Sequence, residues 1–207
     1  MTSERPSSAT LRLVAITDDL RDGIDGLAAR AAAAVRGGAT MIQLRLEDAD
    51  SRDLLAAARA LVALRVPVIV NDRADVALAA GAAGVHLGSE DLPVSAVRRI
   101  APPGFVIGAS VGSDDDVAIA AGADYVGIGP VFATTDRAGS GFALGVAEFE
   151  RLARRTGLPT IAIGGIDVTN CRDALGAGAV GVAVIRAIFA ARDPEAAARA
   201  LSSAIGS

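Results

Sequence analysis

Short apolar runs alternate with longer stretches of helical periodicity along the whole chain. The runs stand at Leu13–Ile16, Met41–Leu44, Val68–Val70, Gly84–His86, Val106–Gly108, Tyr125–Ile128, Thr160–Ile163 and Gly181–Val184. They are short, mostly β-branched and apolar at successive positions, which suits strands covered on both faces, as in a parallel sheet. Between them, apolar residues recur at helical spacing over Gly26–Arg36, Arg52–Leu64, Val94–Ile100, Val146–Thr156 and Pro194–Ile205. About eight strands, each followed by a helix or helical turn, predict a closed (β/α)8 barrel.

A recurring phrase supports that reading. Glycine, alanine and one or two further residues lead into a strand in GGATMIQL (37–44), GAAGVHL (81–87), GADYVGI (122–128) and GAGAVGVAV (176–184). A glycine with positive φ can end a helix there and turn the chain into the strand. The competing architecture, a doubly wound open sheet, usually carries G-x-G-x-x-G after its first strand, and none stands there.

Composition narrows the picture. Of 207 residues, 52% are hydrophobic but only 3% aromatic, so the core has to be built from Ala, Val, Ile and Leu. Formal charge is −4, with no basic run, which argues against nucleic acid as a partner. The one cysteine, Cys171, allows neither an internal disulfide nor a cysteine metal cluster, and a reducing cytoplasm is the expected setting. Residues 1–10 (MTSERPSSAT) read as a disordered polar tail without the apolar stretch of a signal peptide, ahead of one barrel domain over residues 11–207. No uncharged apolar run reaches the roughly 18 residues of a membrane span. Assembly into a homo-oligomer stays open.

In a (β/α)8 barrel the site lies at the C-terminal ends of the strands. Polar residues collect at those positions: Thr17 and Asp18, Gln43 and Arg45, Asn71 and Asp72, His86, Asp91, Ser110, the segment 129–145, Gly164 and Gly165, and Arg186. Asp72 and Ser110 suit helix N-caps equally well, and His86 suits a core histidine.

The stretches VAITDD (14–19), ATMIQLR (39–45), VPVIVNDRADVALAAGAAGVHLGSEDLP (66–93), VIGASV (106–111), GADYVGIGPVFAT (122–134) and IAIGGI (161–166) resemble the thiamine-phosphate synthase family, which includes thiazole tautomerases. The resemblance runs from about residue 11 to the end. It implies coupling of an aminopyrimidine methyl diphosphate to a thiazole phosphate with loss of pyrophosphate, assisted by Mg²⁺. By the same resemblance, Asp72 and Asp91 fall on the metal carboxylates, and Arg45 and Asn71 on pyrophosphate contacts. Gln43 and His86 match pyrimidine contacts, Ser110 a polar contact at the reacting centre, and Thr134 a thiazole contact. Gly165, with Ile185 and Arg186, matches a thiazole-phosphate cradle of backbone N–H groups.

The chain also departs from the family pattern. Glu47 stands where a lysine is usual, Ser89 replaces a glutamine, and Gly112 stands where some relatives have histidine. Asp136 and Arg137 replace threonine and lysine, and Arg137 can supply the catalytic cation with different geometry. The segment Thr134–Ala143 (TTDRAGSGFA) reads as a lid over the site. Two alternatives remain at this level: a metal-independent thiazole tautomerase, and a ligand-binding homologue without activity.

Overall fold

The computed structural model describes residues 6–134 and 142–206. In chain order the elements are β1 (Leu13–Ile16), α1 (Gly23–Arg36), β2 (Met41–Leu44), α2 (Ser51–Val62), β3 (Val68–Asn71), α3 (Ala74–Ala80), β4 (Gly84–Leu87), α4 (Val94–Ile100) and β5 (Val106–Val111). There follow α5 (Asp114–Ile119), β6 (Tyr125–Ile128), α6 (Gly145–Thr156), β7 (Thr160–Ile163), α7 (Cys171–Gly176), β8 (Gly181–Val184), α8 (Arg186–Phe189) and α9 (Pro194–Gly206). Every strand pairs in parallel with its sequence neighbours, and β8 closes onto β1. The expected (β/α)8 barrel is therefore the fold.

The strands alternate with period two, and that alternation splits the core. One set, including Leu13, Ala15, Ile42, Leu44, Val70, Val85 and Ile107, packs outward under the helices. The other set, Leu11, Val14, Ile16, Met41, Ile69, Tyr125, Ile161 and Ala183, fills the barrel interior. The alanine-rich helices sit close against the sheet; Ala31 and Ala34 of α1 and Ala57 and Ala58 of α2 are fully buried. The glycine-alanine steps behave as the sequence suggests. Gly38, Gly81, Gly122 and Gly178 take φ of 110°, 69°, 89° and 97°.

One expectation needs correction. β5 runs on through Ala109, Ser110 and Val111, because Ser110 and Val111 still pair with Gly127 and Ile128 of β6. Four helices that no periodic stretch marks in the sequence, α3, α5, α7 and α8, span 7, 6, 6 and 4 residues, in keeping with the expected helix or helical turn after each strand. Ser7–Thr10 form a turn in which the Leu11 N–H donates to the Ser7 carbonyl at 3.1 Å, because the fully buried Leu11 side chain holds this segment against the barrel. Cys171 is buried and unpaired with any other cysteine. Among the described residues no helix is long and apolar enough to cross a membrane.

Candidate active site at the C-terminal rim

A cavity of about 1100 Å³ opens at the C-terminal ends of the strands. Its lining includes Gln43, Arg45, Asn71, Asp72, His86, Asp91, Ser110, Thr134, Gly165, Ile185 and Arg186. The barrel thus brings together residues from seven strand ends and the loops that follow them. Arg137, Asp136 and most of the expected lid lie outside the described residues.

Four of these side chains come from strands, and the period-two alternation turns them inward as the last layer of the interior. Gln43 ends the inward row of β2 and is buried. Its amide NH₂ donates to Asn71 Oδ1 at 2.8 Å, so a polar group that would otherwise be costly to bury is satisfied. His86 ends the row of β4, and Ser110 that of β5.

His86, Gly108 and Tyr125 stand side by side in register on β4, β5 and β6. Gly108 has no side chain to separate its neighbours. A Cβ there would lie 2.5 Å from both His86 Nδ1 and the Tyr125 hydroxyl. The two rings therefore meet across β5, with His86 Nδ1 and the Tyr125 hydroxyl 3.1 Å apart. On the cavity side, His86 Nε2 lies 3.1 Å from Ser110 Oγ. Burial pushes the His86 pKa down to about 4, against a weaker upward pull from Asp91, and burial raises the Tyr125 hydroxyl well above its usual range. Both rings are neutral near pH 7.

The charged part of the rim follows β3 and β4. Asp72 adopts a left-handed backbone (φ 62°), unusual outside glycine, and its N–H donates to the His86 carbonyl at 2.8 Å. The Asp72 pKa is pushed up to about 6, first by burial and then by a hydrogen bond to and the charge of Asp91; Arg45 and Asn71 pull it down. Asp91 Oδ2 is held by the Gly88 N–H at 2.6 Å. Two neighbouring carboxyl groups that disfavour each other's ionisation suit a hard cation with oxygen preference between them.

Neither Asp72 nor Ser110 is a helix cap. Arg73 precedes α3 without a side-chain cap bond, while Ser113 caps α5 by accepting from the Asp116 N–H. Two other rim residues turn out to be structural. The Thr17 hydroxyl donates to the Arg45 carbonyl at 2.8 Å and accepts from the Arg45 N–H at 2.9 Å, fixing the loop that carries Arg45. Asp18 ion-pairs with Arg21 and Arg30. The exposed Glu47 carboxylate pairs with the Arg45 guanidinium, so the departure from the family pattern contacts a predicted site residue.

On the opposite side, Gly164 and Gly165 turn the chain out of β7 at φ 95° and 63°. Gly165 packs so closely under the 132–133 backbone that a Cβ would lie 2.6 Å from the Ala133 carbonyl oxygen. Sequence reasoning missed the apolar wall of the cavity, formed by Ile16, Ile161 and Ile163, and missed Tyr125 behind His86. The signal for Tyr125 was present: a tyrosine inside an apolar strand needs a hydrogen-bond partner.

Fold and site define an enzyme class, a (β/α)8 barrel with a polar cavity at the C-terminal ends of its strands. The chain belongs to the thiamine monophosphate synthase family, whose sequence model matches residues 13–188. It is 46% identical over 198 residues to a thiamine-phosphate synthase of Roseiflexus sp. (strain RS-1), covering 93% of this chain and 84% of that one. It is 51% identical over 183 residues to a thiamine-phosphate synthase of Methanoculleus marisnigri, covering 86% of each. A thiamine phosphate pyrophosphorylase from Pyrococcus furiosus has the same fold, with a TM-score of 0.85, 36% identity and coverage of 96% and 97% of the two chains.

Proposed function

We propose that this chain couples an aminopyrimidine methyl diphosphate to a thiazole phosphate, giving thiamine phosphate and pyrophosphate. The observation that carries the reading is the neighbouring Asp72 and Asp91 carboxyls, with Arg45, in the lining of a cavity large enough for two small substrates. The names of the relatives point the same way.

In this reaction the C–O bond between the pyrimidine methylene and the diphosphate breaks, and its electron pair leaves with pyrophosphate. The lone pair of the thiazole nitrogen forms the new C–N bond, so no proton has to be moved. The chain's task is to hold the two partners in line, receive the leaving charge and keep water from the electron-poor methylene. Arg45 and Asn71 bind the departing oxygens, with Arg45 able to grip two at once. Arg137 serves as a further cation. Gln43, His86 and Ser110 hold the pyrimidine, and Ile16, Ile161 and Ile163 form the dry wall. Thr134 contacts the thiazole. Backbone N–H groups near Gly165 and Ile185, with Arg186, hold its phosphate.

Asp72 and Asp91 would hold Mg²⁺, which when bound supplies positive charge to the pyrophosphate as it leaves. Two carboxylates are a weak site for an ion that dehydrates reluctantly, so tight metal binding requires the diphosphate oxygens as well.

The test is incubation with both phosphorylated substrates and Mg²⁺, with and without EDTA, followed by detection of thiamine phosphate. Product in the presence of Mg²⁺ and its loss in EDTA is the expected result. No product at high enzyme concentration overturns the coupling reaction. Undiminished product in EDTA overturns the metal's part in it.

A further inference from the structure

We infer that Tyr125 is a positioning residue that fixes His86 as the Nε2–H tautomer, so that the Ser110 hydroxyl keeps its own proton to donate into the cavity. The argument is one of counting donors. The Tyr125 side chain is fully buried, and its hydroxyl has a single hydrogen-bond partner among the described residues, His86 Nδ1. A neutral tyrosine has one proton to place. Donated to Nδ1, it satisfies both buried groups. With the proton on Nδ1 instead, the ring would donate to the tyrosine oxygen and the Tyr125 O–H would have no acceptor, an uncompensated buried donor. Nδ1 is therefore the acceptor, and the ring proton sits on Nε2.

From there the polarity is set. Nε2–H donates to Ser110 Oγ, 3.1 Å away. Ser110 lines the cavity, so its remaining O–H points its proton at the ligand. The ligand atom it meets must carry a lone pair, as an unprotonated ring nitrogen of an aminopyrimidine does. Gly108 is the structural condition for this arrangement, since any side chain there would stand between the two rings. The low His86 pKa and the raised Tyr125 pKa keep the chain of donors neutral, and so intact, across the ordinary working range of pH.

The tautomer stands on the geometry alone, whereas its effect on turnover rests on the activity proposed above; the two are measured separately. His86 is the only histidine in the chain, so the imidazole ¹⁵N signals of untagged protein belong to one ring. The expected wild-type spectrum has a protonated Nε2 and an unprotonated Nδ1, without any substrate present. In Tyr125→Phe that preference is lost, while Ser110→Ala retains it. Thiamine phosphate formation by Tyr125→Phe falls in kcat/KM by about ten-fold, the weight of one well-placed hydrogen bond. A wild-type Nδ1–H tautomer overturns the inference without reference to any variant. An unchanged tautomer in folded Tyr125→Phe overturns the role of Tyr125. Inactivity of the wild type would remove the coupling reaction and leave the spectrum as the test of the tautomer.

Discussion

The β3–β4 side of the rim and the β7–β8 side face one cavity with opposite means. On the first, side chains line the cavity: Asn71 at the end of β3, Asp72 and Asp91 in the loops after β3 and β4, with Arg45 beside them. On the second, glycines at positive φ present backbone, and Gly165 is packed so tightly that no side chain fits. The difference matches two kinds of phosphate. A leaving diphosphate gains charge as its bond breaks, and localised charges respond to that change. A phosphate that only anchors a substrate stays constant, and fixed backbone dipoles suffice for it.

The comparison breaks most visibly at the carboxylates. Asp72→Ala should reduce thiamine phosphate formation on the order of 1,000-fold, since several kcal/mol of leaving-group stabilisation depend on the pair. Asp91→Ala should do the same, and the double variant should be hardly worse, because the two act as one unit. Binding of thiazole phosphate alone, followed by calorimetry, should be unaffected. Weakened thiazole phosphate binding in either variant would show that the two sides are not separate.

The reciprocal change gives a smaller effect. Gly165→Asp should raise the KM for thiazole phosphate about 10- to 100-fold and leave the diphosphate KM unchanged, because it sets a negative charge against the anchored phosphate. Gly165→Ala shares the crowding against Ala133 without the charge, and its thermal melting and KM separate the two causes. Equal KM increases in both variants would place the effect in backbone crowding and not in a phosphate site.

The smallest expected effect lies at Glu47. Its carboxylate partly neutralises Arg45 from an exposed position, and exposed pairs are weak. Glu47→Gln should lower the diphosphate KM about two- to three-fold in steady-state kinetics. A rise in KM would show that Glu47 orients the Arg45 guanidinium, and that this chain has made its unusual residue part of the binding side.

Much of this was legible before the structure. Eight short apolar runs with glycine-alanine entries carried the barrel, because strands covered on both faces leave an unambiguous signature. The inward direction of Gln43, Asn71, His86 and Ser110 follows from the same alternation once the strand ends are known. Three things were hidden. α5 buries none of its residues and opens with three aspartates, so no apolar stripe announced it. Thr17 and Asp18 stand at a strand end like the cavity-lining residues, and only the hydrogen bonds to Arg45 and the pairs with Arg21 and Arg30 reveal them as supports. The contact between His86 and Tyr125 bridges 39 positions of sequence and depends on a missing side chain at Gly108, a relation no local pattern expresses.

The backbone of Asp72 carries a consequence for the history of this rim. A left-handed residue other than glycine raises the energy of the folded chain by about 1 kcal/mol or more. Above about pH 6 the same position must also keep a second negative charge beside Asp91. Both effects oppose folding, and glycine would relieve both while erasing the carboxylate. Selection for firmness alone would therefore drift away from aspartate here. With the metal role proposed above, aspartate here trades stability for function, and a stabilised variant chosen without an activity screen is expected to lose this residue early.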